Sequence, residues 1–259
     1  MTMINCNGDA FEVRVDGPEG APALLLSNSL SSDLSMWDDQ VPSWSKHFRV
    51  IRYNARGQGG SVIDPVAYDM DRLGGDAVAI LDALDVPRAH VCGLSMGGMV
   101  TQWLLTHAPH RIDRAVLANT ASYMGPASLW DDRIALARTH GMEATVEPTV
   151  RRWFPPAFHA AAPATIDRMR AMIRRTPPEG YAASCAAIRD MDQRDTIKAA
   201  TAPTLIVIGA NDPATTPADG LAIHAAIRGS RTVTLDAGHI SNVEQPEAFI
   251  QAVAAFLAG

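Results

Sequence analysis

Short apolar runs closed by turn-forming residues alternate with helix-patterned segments along this chain, and few architectures can absorb that alternation. "APALLLSNS", "FRVIRYN" and "AHVCGLS" are runs of this kind, and before them "FEVRVDG" alternates apolar with polar residues. A strand buried on both faces reads as a continuous apolar run, whereas a half-exposed strand alternates. These segments are read as strands, with the first of them starting after Cys6. Between the last two runs, "DMDRLGGDAVAILDALDV" carries Leu73, Val78, Ile80, Leu81 and Leu84 at roughly helical spacing. "MGGMVTQWLLTHAPHR" forms a second helix stopped by Pro109, and "RAVLANT" is the next strand.

The rhythm then breaks. From about residue 121 to 195 there is no convincing strand, only helical stretches split by "FPP", "APA" and "TPPEG". It resumes with the strand "PTLIVIGAND", a helix through "GLAIHAAIRG", the strand "RTVTLDAG" and a closing helix "PEAFIQAVAAFLAG". The pattern predicts an α/β fold: a mainly parallel sheet flanked by helices, with a helical cap inserted after the sixth strand. Residues 1–120 and 196–259 form the core and 121–195 the cap of a single structural unit. At 259 residues, 47% of them hydrophobic, the chain can bury one substantial core.

Binding and chemistry in such sheets gather at the carboxyl ends of the strands. One of those ends is "HVCGLSMGGMV", residues 90–100, where a buried strand runs into a serine. Gly93-Leu94-Ser95-Met96-Gly97 fits G-x-S-x-G, a strand-to-helix turn that exposes a serine hydroxyl at the top of a sheet. Small residues two before and two after Ser95 let strand and helix pass closely. A serine hydroxyl needs a base to act as a nucleophile. Of the eight histidines, only His239, in "LDAGHIS", stands at the carboxyl end of a strand. An acid must orient the imidazole, and Asp212, which closes "TLIVIGAND", precedes His239 in the chain order Ser, Asp, His. The other position for such an acid, one strand earlier, holds Asn119, which cannot carry a fixed negative charge.

Acyl transfer also needs donors for a developing oxyanion. The backbone N–H of Met96, directly after the serine, is one. Leu30 in "SNSLSSD" is the candidate for the second, with Ser29 as the alternative. This chemistry calls for no cofactor and no metal.

Composition narrows the partners. A net charge of −6 and the lack of a basic run argue against nucleic acid. No apolar stretch approaches a membrane span, and the N-terminus lacks an export pattern. Cys6, Cys92 and Cys185 are far apart and lack metal-ligand spacing, which fits reduced thiols and a cytoplasmic location. The expected partner is a small-molecule substrate, and the expected state a monomer or small homo-oligomer.

Several segments together resemble a known family. "LLLSNSLSSDLSMWDDQV", "CGLSMGGMV", "RWFPPAF", "GYAASCAAIRDMD", "NDPATTPADG" and "GHISNVEQPEAF" are similar to the 3-oxoadipate enol-lactonases, which have the α/β-hydrolase fold. The resemblance implies hydrolysis of an unsaturated lactone with a carboxylate arm, a step of aromatic-compound degradation in the β-ketoadipate pathway. It carries the triad onto Ser95, Asp212 and His239. It also marks Trp130 and Arg133 of "SLWDDRI" as substrate-binding residues, beside Ser29 of the oxyanion loop. Arg133 would pair with the carboxylate; the insert is arginine-rich, with Arg133, Arg138, Arg151, Arg152, Arg168, Arg170, Arg174 and Arg175, and interleaved acids make most of these solvated. The chain departs from the family pattern at Asn54, Gln58 and Ser31. Three other readings stay open: a general carboxylesterase or lactonase, a hydrolase-fold small-molecule binding protein, and a perhydrolase or haloperoxidase side activity.

Overall fold

The computed structural model describes residues 2–64 and 66–259. Eight strands form one sheet in the order β1-β2-β4-β3-β5-β6-β7-β8. They are β1 (Thr2–Cys6), β2 (Asp9–Asp16), β3 (Ala23–Ser27), β4 (Arg49–Tyr53), β5 (Ala89–Leu94), β6 (Ile112–Ala118), β7 (Thr204–Gly209) and β8 (Arg231–Leu235). β1 pairs antiparallel with β2, and β2 antiparallel with β4. From β4 through β8 every pairing is parallel. The first strand therefore starts earlier than the sequence pattern suggested, and Cys6 closes it rather than preceding the sheet. "TMINC" is a hairpin edge with a mostly exposed face, so it lacks the apolar run that marks the inner strands.

The inner strands have the burial that their sequences require. All six residues of β7 and the last four of β3, β5 and β6 are buried. Successive strand residues point to opposite faces, so unbroken burial means that both faces are covered. The helices that accompany the sheet are α1 (Val41–Trp44), α2 (Met70–Ala83) and α3 (Met96–His107), all before β6. After β7 come α9 (Pro217–Ala226), α10 (Ser241–Glu244) and α11 (Pro246–Leu257). α2 begins at Asp69, whose carboxylate accepts from the Arg72 N–H at 2.7 Å. That satisfies one of the donors a helix start leaves open. No described helix is long and apolar enough to cross a membrane.

Between β6 and β7 the chain forms α4 (Ser128–His140), α5 (Glu143–Trp153), α6 (Pro156–Ala161), α7 (Pro163–Arg175) and α8 (Pro178–Asp190). Proline opens α6, α7 and α8, at the first helical position where its missing N–H costs nothing. The start of α8 meets the core backbone to backbone. A Cβ on Gly180 would collide with Gly57, and one on Gly57 with Gly180. Gly57 also has φ +77°, which glycine adopts without strain. This contact brings the inserted helices down beside the loop that follows β4.

Candidate active site

The turn at Ser95 is strained and tightly held. Ser95 has φ +58° and ψ −116°, outside the regions that L residues favour. Its N–H donates to the Ala118 carbonyl at 2.9 Å, and Thr120 Oγ1 donates to the Ser95 carbonyl at 2.8 Å. A Cβ on Gly93 would strike the Gly97 carbonyl, and one on Gly97 the Ser27 carbonyl. Only glycine lets the strand, the turn and β3 approach this closely. Backbone strain of this kind, over-determined by its surroundings, is typical of functional positions.

The structure brings Ser95, His239 and Asp212 together. Ser95 Oγ lies 2.8 Å from His239 Nε2, and His239 Nδ1 lies 2.9 Å from Asp212 Oδ2. All three are buried. His239 sits in the loop after β8, where its backbone N–H donates to the Trp153 carbonyl at 2.9 Å. The last residue of α5 thus helps to hold the histidine. Asp212 follows β7 and is fully solvated by protein donors. Oδ1 accepts from the N–H groups of Ala214 (2.8 Å) and Thr215 (3.0 Å). Oδ2 accepts from Asn119 Nδ2 (3.0 Å) and Thr215 Oγ1 (2.8 Å), besides His239. Burial alone would raise the Asp212 pKa, but the charge and hydrogen bond of His239, then Asn119 and Thr215, bring it down to about 2.

Met96 heads α3, in the first turn, whose N–H groups lack intrahelical partners and form the positive end of the helix dipole. Leu30 and Ser29 lie in the loop after β3 and line the same cavity as Ser95. That loop is pinned at several points. Asn28 Oδ1 accepts from the buried Trp37 indole (2.9 Å), and Asn28 Nδ2 donates to the Tyr53 carbonyl (2.7 Å). Ser32 Oγ donates to the Ser29 carbonyl at 2.7 Å. Asn54 and Gln58, two departures from the family pattern, both hold this loop. Asn54 Oδ1 accepts from the Leu34 N–H at 2.6 Å. With its amide nitrogen turned toward the loop, Gln58 donates to the Ser29 carbonyl at 3.2 Å and to that of Ser32.

A cavity opens above the serine. Ser29, Leu30, Ser95 and His239 line its floor, and Trp130, Arg133, Arg152 and Tyr181 of the inserted helices line its roof. Arg133 stacks on Trp130 with its guanidinium carbon 4.3 Å from the ring centroid, and the Trp130 indole donates to the Met124 carbonyl at 2.7 Å. The sequence-predicted site residues Ser95, His239, Leu30, Ser29, Trp130 and Arg133 therefore share one cavity. Asp212 stands behind His239, and the Met96 side chain is buried in the core.

A family model described as the alpha/beta hydrolase fold matches residues 22–246. The chain belongs to the α/β-hydrolase family. It is 40% identical to 3-oxoadipate enol-lactonase 2 of Acinetobacter baylyi over 93% of this chain and 90% of that protein. It is 36% identical to 3-oxoadipate enol-lactonase 1 of the same organism, over 98% and 96%. Among solved structures, the enol-lactonase of Burkholderia xenovorans LB400 superposes with a TM-score of 0.98 at 40% identity, covering 100% of both chains.

Three features of this α/β-hydrolase escaped the sequence reading. Arg152, not singled out among insert arginines that are mostly expected in solvent, lines the cavity, because Val146, Val150 and Trp153 of the same helix are buried and turn that face inward. Its Nη2 donates to Thr149 Oγ1 at 3.2 Å. Asn119, set aside for lacking charge, ties together the loops after β6, β7 and β8. Thr215 Oγ1 reaches both Asp212 Oδ2 (2.8 Å) and His239 Nδ1 (3.2 Å). The "NDPATT" segment could have signalled Thr215, since a threonine three residues past an aspartate commonly closes a local hydrogen-bonded turn.

Proposed function

We propose that the protein is a serine hydrolase that opens 3-oxoadipate enol-lactone to 3-oxoadipate. One observation carries this reading. The contact between Ser95 Oγ and His239 Nε2 at 2.8 Å faces a cavity lined by Arg133 and Arg152 and by no carboxylate. The chain as a whole is acidic, at −6, so a local concentration of positive charge over the serine favours a substrate with an anionic arm. Relatives at 40% and 36% identity that bear the enol-lactonase name agree with that chemistry.

In this mechanism Ser95 Oγ attacks the lactone carbonyl carbon as its proton passes to His239 Nε2. Asp212 holds the imidazole through Nδ1–H and stabilises the imidazolium. The N–H groups of Met96 and Leu30 donate to the oxyanion. Collapse breaks the ring C–O bond, and His239 returns the proton to the leaving enol oxygen, which becomes the ketone on tautomerisation. Water then attacks the acyl-Ser95 carbonyl as His239 takes its proton; the acyl C–Oγ bond breaks, His239 returns that proton to Ser95 Oγ, and the new carboxylic acid loses its own proton to solvent as it leaves. Within this reading the helices of residues 121–195 act as a cap that closes the cavity. The three cysteines, buried and free, suit a cytoplasmic setting.

Initial rates on the enol-lactone and on a neutral ester such as p-nitrophenyl acetate test the proposal. The charge-assisted contact available only to the lactone predicts a kcat/KM about 10–100-fold higher for it, once intrinsic reactivity is normalised. Equal or reversed preference would favour a general carboxylesterase.

A further inference from the structure

Arg133 and Arg152 share the cavity without a counter-ion. Several other arginines of the inserted helices are paired, among them Arg138 with Glu179, Arg170 with Glu147 and Arg174 with Glu143. Among the described residues, Arg133 is matched only by the face of Trp130, and Arg152 only by a threonine hydroxyl. Burial, and then the charge of Arg133, lower the Arg152 pKa, so the neighbouring cation adds to the cost of keeping Arg152 charged. Two half-buried guanidinium groups in one cavity without an anion are an unfavourable arrangement that a bound anion relieves. Tyr181, in the same wall, is held protonated by burial and adds a neutral hydroxyl rather than a counter-charge.

The proposed substrate carries one carboxylate, which one arginine satisfies. Hydrolysis changes the count. Water adds across the acyl C–O bond, the acyl carbon leaves as a second carboxylate, the enol oxygen keeps a proton, and one proton is released. The ligand that leaves is a dianion. We propose that Arg152 is a second anion-binding residue of this cavity, so that short dicarboxylates bind more tightly than ligands of the same length with one charge. This rests on the enol-lactonase reading for its biological meaning, but the charge selectivity itself does not need that reading. Its consequence for the enzyme is retention of the dicarboxylate product.

The test is competitive inhibition of p-nitrophenyl acetate hydrolysis by adipate and by adipic acid monoamide, which differ by one charge at equal length. Adipate is expected to show a Ki about 10–100-fold lower, the range of one charge-assisted hydrogen bond. In Arg152→Gln that ratio collapses toward unity, and in Arg152→Lys a part of it remains. Thermal midpoints no lower than that of the wild-type protein show that both variants are folded, and Arg152→Gln, which removes an unpaired charge, is expected to match or exceed it. Equal Ki values in the wild-type enzyme, or a ratio that survives in Arg152→Gln, would overturn the proposal. The two arginines would then clasp a single carboxylate. An adipate preference without enol-lactone turnover would uphold Arg152 while removing the enol-lactonase reading. Turnover without the preference would do the reverse.

Discussion

The side-chain amide of Asn119 lies 3.0 Å from Asp212 Oδ2 and 3.0 Å from the Gly238 carbonyl, next to His239. Its own Oδ1 accepts from Ser241 Oγ at 2.5 Å. One neutral residue at the end of β6 therefore fixes the acid after β7 and the histidine loop after β8. Asn119→Ala is expected to lower kcat about 10-fold, the lower range for loss of a hydrogen bond to a charged group, with little change in KM. Asn119 is a positioning residue, so steady-state kinetics provide the check. A rise in KM at constant kcat would contradict that role.

Ser95 and His239 act on one proton, and their losses should not add. Ser95→Ala and His239→Ala are each expected to cost at least about 10⁴-fold in kcat, and the double variant no more than either alone. A double variant far slower than both single ones would mean that the 2.8 Å contact is not the path of proton transfer.

The strands that place these residues were legible because both faces of β3, β5, β6 and β7 are buried, which leaves an unbroken apolar run in the chain. Chain order then assigned Asp212 and His239 to strand ends. What stayed hidden depends on packing between distant segments. Arg152 looks like any arginine among acids until the burial of Val146, Val150 and Trp153 decides which way its helix turns. Asn119 carries no charge that a sequence pattern could flag, and it acts through hydrogen-bond geometry at the meeting of three loops. The edge strand β1 was missed because its single covered face leaves too weak a period.

Asp212 makes stability depend on pH in a defined window. Its pKa is about 2 in the folded protein against an ordinary 3.8, because His239 and the surrounding donors outweigh burial. A depressed carboxylate stabilises the fold above its unfolded value, and that contribution disappears as pH falls through the folded one. Between about pH 4 and pH 2 the wild-type protein should lose about 2 kcal/mol more than Asp212→Asn, by the usual conversion of a pKa shift. Urea titrations of both proteins across that interval measure the difference. Parallel pH profiles would show that the carboxylate is not held as its partners imply.

Arg133 gives a further handle on substrate charge, because it stacks on Trp130 and has no acid to release. Arg133→Ala is expected to lower kcat/KM for the enol-lactone about 10–100-fold, and to affect a neutral ester much less. Equal losses on both would assign Arg133 to supporting the Trp130 wall.

Ser31 combines two unfavourable features at one position of the oxyanion loop. Its φ of +64° lies in the left-handed region, which costs a residue with a Cβ about 1 kcal/mol or more. Its hydroxyl is buried without a hydrogen-bond partner, a second cost of about 1–3 kcal/mol. Glycine would remove both, at the expense of about 0.5–1 kcal/mol of extra chain entropy. Ser31→Gly should therefore stabilise the protein by about 1–3 kcal/mol. Ser31→Ala, which deletes the hydroxyl but keeps the Cβ, should gain less. Denaturant unfolding of the two variants separates backbone strain from the unsatisfied hydroxyl. If Ala stabilised as much as Gly, the left-handed backbone would cost no more than the chain entropy glycine adds, about 0.5–1 kcal/mol, and the hydroxyl would account for the net gain. If neither variant were more stable, the loop must already relieve both features, and Ser31 would be an unstrained part of the cavity wall.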